Sequence, residues 1–206
     1  LNSLKLLINL LIFMKKIFIL KASKAKTSKD FLLNDMPGDG GRMDIVARCV
    51  NSSFFLSHGL RNDTEFIVTF EGEPNPPVTL RFKGDRLKYM GPDERCIGGL
   101  IKKALENVTE EEKESTPGIF VSKKSFSDVL KEADSDIVYL HEDGEDIQTQ
   151  TFSSDKVYFV LGDNLGLSEE DESLLENAKR ISISPMVLHA DHCIIIVHNV
   201  LDRKNL

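Results

Sequence analysis

The sequence has only three cysteines, Cys49, Cys96 and Cys193. With no CxxC pair, no even set and no secretory spacing, they exclude a disulfide framework and point to a reducing, cytoplasmic compartment. The signatures of nucleotide chemistry are missing as well. No GxxxxGK[ST] phosphate loop occurs, and the stretch "GDNLG" has neither the GxGxxG spacing nor a basic residue. No HExxH motif is present. An unbroken apolar run of membrane length is also lacking. The opening "LNSLKLLINLLIFMKKIFIL" is interrupted by Lys5, Asn9, Lys15 and Lys16, and no small-residue cleavage site follows it. Neither an anchor nor a signal peptide is expected. Met14 is expected to open the folded chain, with residues 1–13 a dispensable extension and residues 14–206 a single domain.

An excess of basic charge is absent too. The formal net charge of −7 argues against a general nucleic-acid binder, because phosphate contacts are made by clustered Lys and Arg. The average hides a split. Residues 1–106 hold 17 Lys and Arg against 12 Asp and Glu, while residues 107–206 hold 9 against 21. Different partners are therefore expected for a basic half, residues 14–106, and an acidic half, residues 107–206. A composition 41% hydrophobic and 29% charged is that of a globular chain with one compact core.

Apolar period and punctuation give the order of elements. "KIFILKA" is a strand, and "GGRMDIVARCVNSSFFLSH" places Ile45, Cys49, Ser52, Phe55 and Leu56 along one helical stripe. "TEFIVTFEG" alternates as a strand, "EPNPP" must be a turn, and "VTLRFKG" returns, so the pair reads as a hairpin. "GPDERCIGGLIKKALENV" reads as a helix with Pro92 in its first turn and Lys102 and Lys103 late, which suits the helix dipole. After the polar connection "TEEEKESTPG", the segments "IFVS", "SFSDVLKEA" and "DIVYLHEDG" read strand, helix, strand. "VYFVLG", "SEEDESLLENAK" and "RISIS" repeat that rhythm. Ser168 and Asp171 have capping-box spacing. The expected class is α/β, a largely parallel sheet flanked by helices, with one antiparallel hairpin in the N-terminal half.

In such sheets ligands lie outside the carboxyl ends of strands. Three loops qualify: "LHEDGED", "GDNLG" and "SPMVL". Glycines in the first two permit close backbone approach or positive φ. Glu142, Asp143, Glu145, Asp146 and Asp163 would repel a polyphosphate and tolerate a cation. A sulfonium or amino-acid-like ligand fits better than ATP or NAD. The nearby "HADHC" gathers His189, Asp191, His192 and Cys193. With a helix beginning near Leu188, His189 and Cys193 share a face while Asp191 points elsewhere, so no joint metal site is expected. Cys193 is expected to line a pocket or the core.

The motifs "LNDMPGDGGRMDIVARCVNSSFFLSHGLR", "GEPNPP", "PDER", "STPGI", "LHEDGED", "GDNLG" and "RISISPMVLHADHCIIIVHNVLD" together resemble the tRNA pseudouridine-54 N1-methyltransferase family. The likeness runs from Lys15 to Lys204, and its first and last motifs are long and specific. It implies a SPOUT-type fold whose C-terminal segment forms a trefoil knot around S-adenosylmethionine. Knots are otherwise excluded by default. By motif position the resemblance assigns the cofactor to Leu140, Gly162, Ile183, Ser184, Pro185, Met186, Val187, Leu188 and Cys193, largely through backbone groups. It also implies a homodimer in which the last helix takes part and tRNA as partner; the residue patterns above already argue against a metal and a membrane. The "HADHC" stretch then belongs to the last knot loop and its closing helix.

Pseudouridine is joined through carbon, so its ring N1 keeps a proton and attacks a methyl group once that proton leaves. The enzyme must supply in-line positioning, charge stabilisation at the ring carbonyls, and a proton acceptor. Arg42, Asp44 and Arg48 of "GRMDIVAR" are the candidates. The arginines would meet phosphate or ring oxygen, and Asp44 would act as base or orient an arginine. Two other readings stand beside this one: methylation of a ribosomal RNA pseudouridine, and a cofactor-binding RNA-interaction protein without turnover.

Overall fold

A computed structural model describes residues 14–206. The N-terminal extension, residues 1–13, lies outside the described residues. In chain order the elements are β1 (Lys15–Ala22), α1 (Met43–Phe54), β2 (Phe55–Leu56), β3 (Gly59–Leu60), β4 (Thr64–Phe70), β5 (Val78–Lys83) and α2 (Glu94–Leu105). Then come β6 (Lys113–Thr116), β7 (Ile119–Ser122), α3 (Phe126–Lys131), β8 (Asp136–Asp146), β9 (Lys156–Gly162), α4 (Glu169–Ser173), β10 (Lys179–Ser182) and α5 (Ala190–Arg203). Eight strands form one sheet in the order β10-β8-β9-β1-β4-β5-β7-β6.

β1 sits centrally because both of its faces are apolar. Phe18, Leu20 and Ala22 enter the core beneath α1, α2 and α5, while Ile17 and Ile19 enter a second core against α3 and the turn after α4. Successive strand residues point to opposite faces, so an apolar run can serve both cores only from the middle of a sheet. β4 is likewise buried along its whole length; the apparent alternation in "TEFIVTFEG" conceals Thr64 and Thr69, which are buried too. Thr69 Oγ1 lies 2.9 Å from Thr79 Oγ1 on the neighbouring strand.

The sheet is parallel from β10 through β4. It is antiparallel across β4-β5, β5-β7 and β6-β7. The antiparallel part is larger than the single hairpin expected, because Lys113–Thr116 of the polar connection "TEEEKESTPG" pair as β6 along the sheet edge. α1 ends at Phe54, so Phe55 and Leu56 leave the expected helical stripe and form a small hairpin with Gly59 and Leu60. Pro92 precedes the cap of α2 rather than opening its first turn. Asp93 is the cap, its carboxylate accepting from the Cys96 N–H at 2.9 Å.

The "LHEDGED" stretch is strand, not loop. β8 continues to Asp146 and rejoins β10 after a register shift, with Glu145 opposite Ile181. Gly144 permits this, since a Cβ there would lie 2.5 Å from the Ile181 backbone. α4 is shorter than "SEEDESLLENAK" suggests. Four acids fill its first turn and no base follows in its last, and the chain continues in i→i+3 turns that bury Leu175. The Ser168–Asp171 capping box is formed.

Candidate active site

The middle of β8, the carboxyl end of β9 and the segment from β10 into α5 enclose a cavity of about 550 Å³, within the range of small-molecule sites. Ile45 and Arg48 of α1 close one side. Of the nine residues expected to hold a cofactor, Leu140, Gly162, Ile183, Ser184, Met186, Val187, Leu188 and Cys193 line this cavity; Pro185 does not.

Gly162 ends β9. A Cβ at this position would stand 2.4 Å from the Gly166 carbonyl carbon, so its own loop, before any ligand, requires glycine here. Gly166 has φ +73° and its N–H donates to the Asp163 carbonyl at 3.1 Å. Asp163 is fully engaged. One oxygen accepts from the Ser23 N–H at 2.6 Å and the other from the Leu165 N–H at 2.8 Å, tying the loop to the end of β1. The segment after β10 is irregular, held by Ser182 Oγ donating to the Ser184 carbonyl and the Met186 N–H donating to Ser184 Oγ. The Leu188 carbonyl accepts from the Cys193 thiol, and the backbone groups left over are available to a ligand.

Burial pushes the Cys193 thiol up to about 11, with Asp191 adding to the effect. It is a neutral small side chain on the cavity wall, not a nucleophile. Among the described residues no group of three or more His, Cys, Asp or Glu could hold a metal ion, and no helix is long and apolar enough to cross a membrane.

Arg42, Asp44 and Arg48 meet in space. Arg42 caps α1 in a left-handed conformation, φ 71°, and grips both Asp44 oxygens at 3.1 and 3.2 Å. Arg48, one helical turn on, donates to the same carboxylate at 2.8 Å. Asp44 is 4% exposed. Burial by itself would raise its pKa, but the hydrogen bonds from Arg42 and Arg48 outweigh that and hold it below the ordinary carboxylate range. A saturated, acid-shifted carboxylate is a poor base and a good orienting group. Of these three, only Arg48 reaches the cavity wall.

Asp191 does not point away. It is 8% exposed, lines the cavity, and leaves Oδ1 without a hydrogen-bond partner among the described residues. The face of α5 that packs inward holds Asp191, Ile194, Val197, His198 and Leu201. In sequence, "CIIIV" is apolar around the whole helical wheel and cannot mark that face.

The parallel part of the sheet thus carries an acidic cavity with an arginine pair beside it. The chain belongs to the family described as "Putative SAM-dependent RNA methyltransferase", whose model matches residues 14–206. It is 52% identical over 195 residues to the tRNA (pseudouridine(54)-N(1))-methyltransferase of Methanococcus maripaludis, covering 91% of this chain and 98% of that one. It is 46% identical over 201 residues to the enzyme of the same name from Methanocaldococcus jannaschii, at 92% and 97% coverage. Among solved structures, Archaeoglobus fulgidus Nep1 bound to S-adenosylhomocysteine superposes with a TM-score of 0.60 at 16% identity, covering 92% of this chain and 98% of that one. This last likeness concerns the fold.

Proposed function

We propose that the protein transfers a methyl group from S-adenosylmethionine to the ring N1 of pseudouridine 54 in tRNA. The observation that carries this reading is the near-complete, roughly half-identical match to enzymes of that name. The cavity fits the cofactor. It offers irregular backbone from 183 to 188, no cluster of cations for a polyphosphate, and the carboxylates Glu142, Asp163, Glu172 and Asp191 around a space of suitable volume. Leu140, Gly162, Ile183 to Leu188 and Cys193 would hold it, Pro185 by shaping the segment from outside. When bound, it supplies an electrophilic methyl group on a sulfonium.

The chain's own residues do the rest. Arg48, fixed by Asp44, presents a guanidinium at the cavity rim where negative charge develops on the uracil ring. Arg42, 37% exposed at its side chain, is placed to meet phosphate or a ring carbonyl. Asp44 orients both. Preorganised donors of this kind cost no rearrangement at the moment of reaction.

We infer a trefoil knot in the segment from β8 to α5. The fold likeness to Nep1 supports it. A cytoplasmic homodimer belongs to the same reading, supported by the exposed Met186, Val187 and Ile195 and by three unpaired cysteines. The test is transfer of labelled methyl from S-adenosylmethionine to tRNA with and without pseudouridine at position 54. Label only on the modified tRNA is expected; label on neither, or equally on both, rejects the reading.

A further inference from the structure

We propose that Asp191 is the acceptor of the pseudouridine N1 proton, an assignment that rests on the reaction proposed above. Asp191 is the second residue of α5 and stands where the cavity meets Arg48. Its Oδ2 lies 3.8 Å from Arg48 Nε and 3.8 Å from His192 Nε2, too far for hydrogen bonds. Its Oδ1 is buried and has no partner among the described residues. Leaving a carboxylate oxygen buried without a donor is costly, and such a group is retained where something outside the fold supplies the donor. A ring N–H entering the cavity is a donor of the right kind for this carboxylate; it would meet Oδ2, since Oδ1 itself is closed to solvent. The helix dipole favours an acid at this position, but an exposed side chain would serve the dipole equally well and would not line the cavity.

The other carboxylates nearby are committed elsewhere. Asp44 is saturated by Arg42 and Arg48. Asp163 accepts two backbone N–H groups. Glu172 accepts from the Tyr139 hydroxyl at 2.9 Å, and Glu142 is exposed. Asp191 alone among them combines burial, a carboxylate without a hydrogen bond and a place on the cavity wall next to the arginine pair.

In the step assigned to it, the N1 proton passes to the Asp191 carboxylate and the electron pair stays on N1. That pair forms the new N–C bond as the methyl–sulfur bond breaks, its electrons remaining on sulfur. Asp191 then returns the proton to water, so charge and atoms balance. The groups facing Asp191 are Arg48 and Cys49 on α1 and His192 and Cys193 on α5, while Asp163, from the loop after β9, lines the same cavity. Burial raises both thiols, which stay neutral through the working range.

The experiment compares Asp191→Asn with the unmodified protein. Calorimetry should give cofactor affinity and tRNA affinity within about threefold of the original, and circular dichroism an unchanged fold. Single-turnover methyl transfer at neutral pH should fall on the order of 100-fold or more, the usual contribution of a general base. The deficit should shrink as pH rises, by about tenfold per unit, because an already ionised ring needs no acceptor. An acid limb that persists in His192→Gln and disappears in Asp191→Asn supports the assignment. A limb that disappears in His192→Gln overturns it. So does an undiminished rate in Asp191→Asn, a deficit constant with pH, or a deficit cured by more S-adenosylmethionine, which would make Asp191 a cofactor anchor. If Asp191→Asn does not fold, the limb and its persistence in His192→Gln still decide. An unmodified protein inert on pseudouridine-containing tRNA overturns the functional reading itself.

Discussion

Arg42 occupies a backbone conformation, φ 71°, that a non-glycine residue seldom adopts. The strain is held by the Gly41 turn before it, where a Cβ would meet the Lys24 carbonyl at 2.0 Å, and by the grip on Asp44. Arg42→Ala should reduce methylation of pseudouridine-containing tRNA on the order of 100-fold if the guanidinium meets developing charge on the ring. Cofactor affinity should stay nearly unchanged, because Arg42 does not line the cavity. Single-turnover transfer across tRNA and salt concentrations is the measurement. A rate fully restored by more tRNA makes Arg42 a positioning residue, and an unchanged rate at every tRNA concentration rejects both roles.

Two elements hold testable physics. The loop closing β9 depends on Gly162 because Gly166 crosses it at backbone distance. Gly162→Val should push that loop outward, weaken S-adenosylmethionine binding more than tenfold and lower stability by about 1–3 kcal/mol. Calorimetry showing unchanged affinity in a folded variant rejects the assignment of this loop. In α5, His198 is 2% exposed, its Nε2 lies 3.1 Å from the Ser53 carbonyl, and its Nδ1 is unpartnered among the described residues. Burial, with the Arg61 and Lys16 charges, lowers its pKa from the ordinary 6.5 to about 3. Between those values the unfolded chain binds a proton that the folded chain refuses, so stability falls as pH drops through the window. The expected slope from this one group is about 1.4 kcal/mol per pH unit. Urea unfolding of His198→Leu from pH 4 to 6 should show the pH dependence reduced by that amount; an identical dependence sinks the assignment.

Across the whole molecule, folding neutralises part of the charge split between the halves. Several cations of the basic half pair across the divide: Lys21 with Asp171, Arg61 with Asp202, Arg81 with Glu112 and Glu132, and Arg86 with Glu114. A sequence-wide count therefore overstates what tRNA can meet. Lys24 is exposed, has no ion pair among the described residues and adjoins the Arg42 turn. Lys24→Glu should weaken tRNA binding several-fold and reduce the salt slope by about one, with S-adenosylmethionine affinity unchanged. A filter-binding titration at several salt concentrations decides; an unchanged slope removes Lys24 from the RNA surface.

The sequence by itself determined the elements that rest on local rules. Doubly apolar runs became central strands, Ser168 with Asp171 became a capping box, and the glycine-bearing loop after β9 fell at a strand's carboxyl end. The long motifs also brought the cavity-lining segment 183–188 to attention. Tertiary structure alone decided what depends on neighbours distant in the chain. β8 runs on past Leu140 because β10 returns beside it, and β6 forms because β7 offers it an edge. Asp44 is an orienting group because two arginines converge on it. Asp191 faces inward because α1 selects one side of a helix that is apolar all round. Period and punctuation record only what a residue's near neighbours require, whereas a partner 140 residues away acts on a side chain only after the sheet has brought the two together.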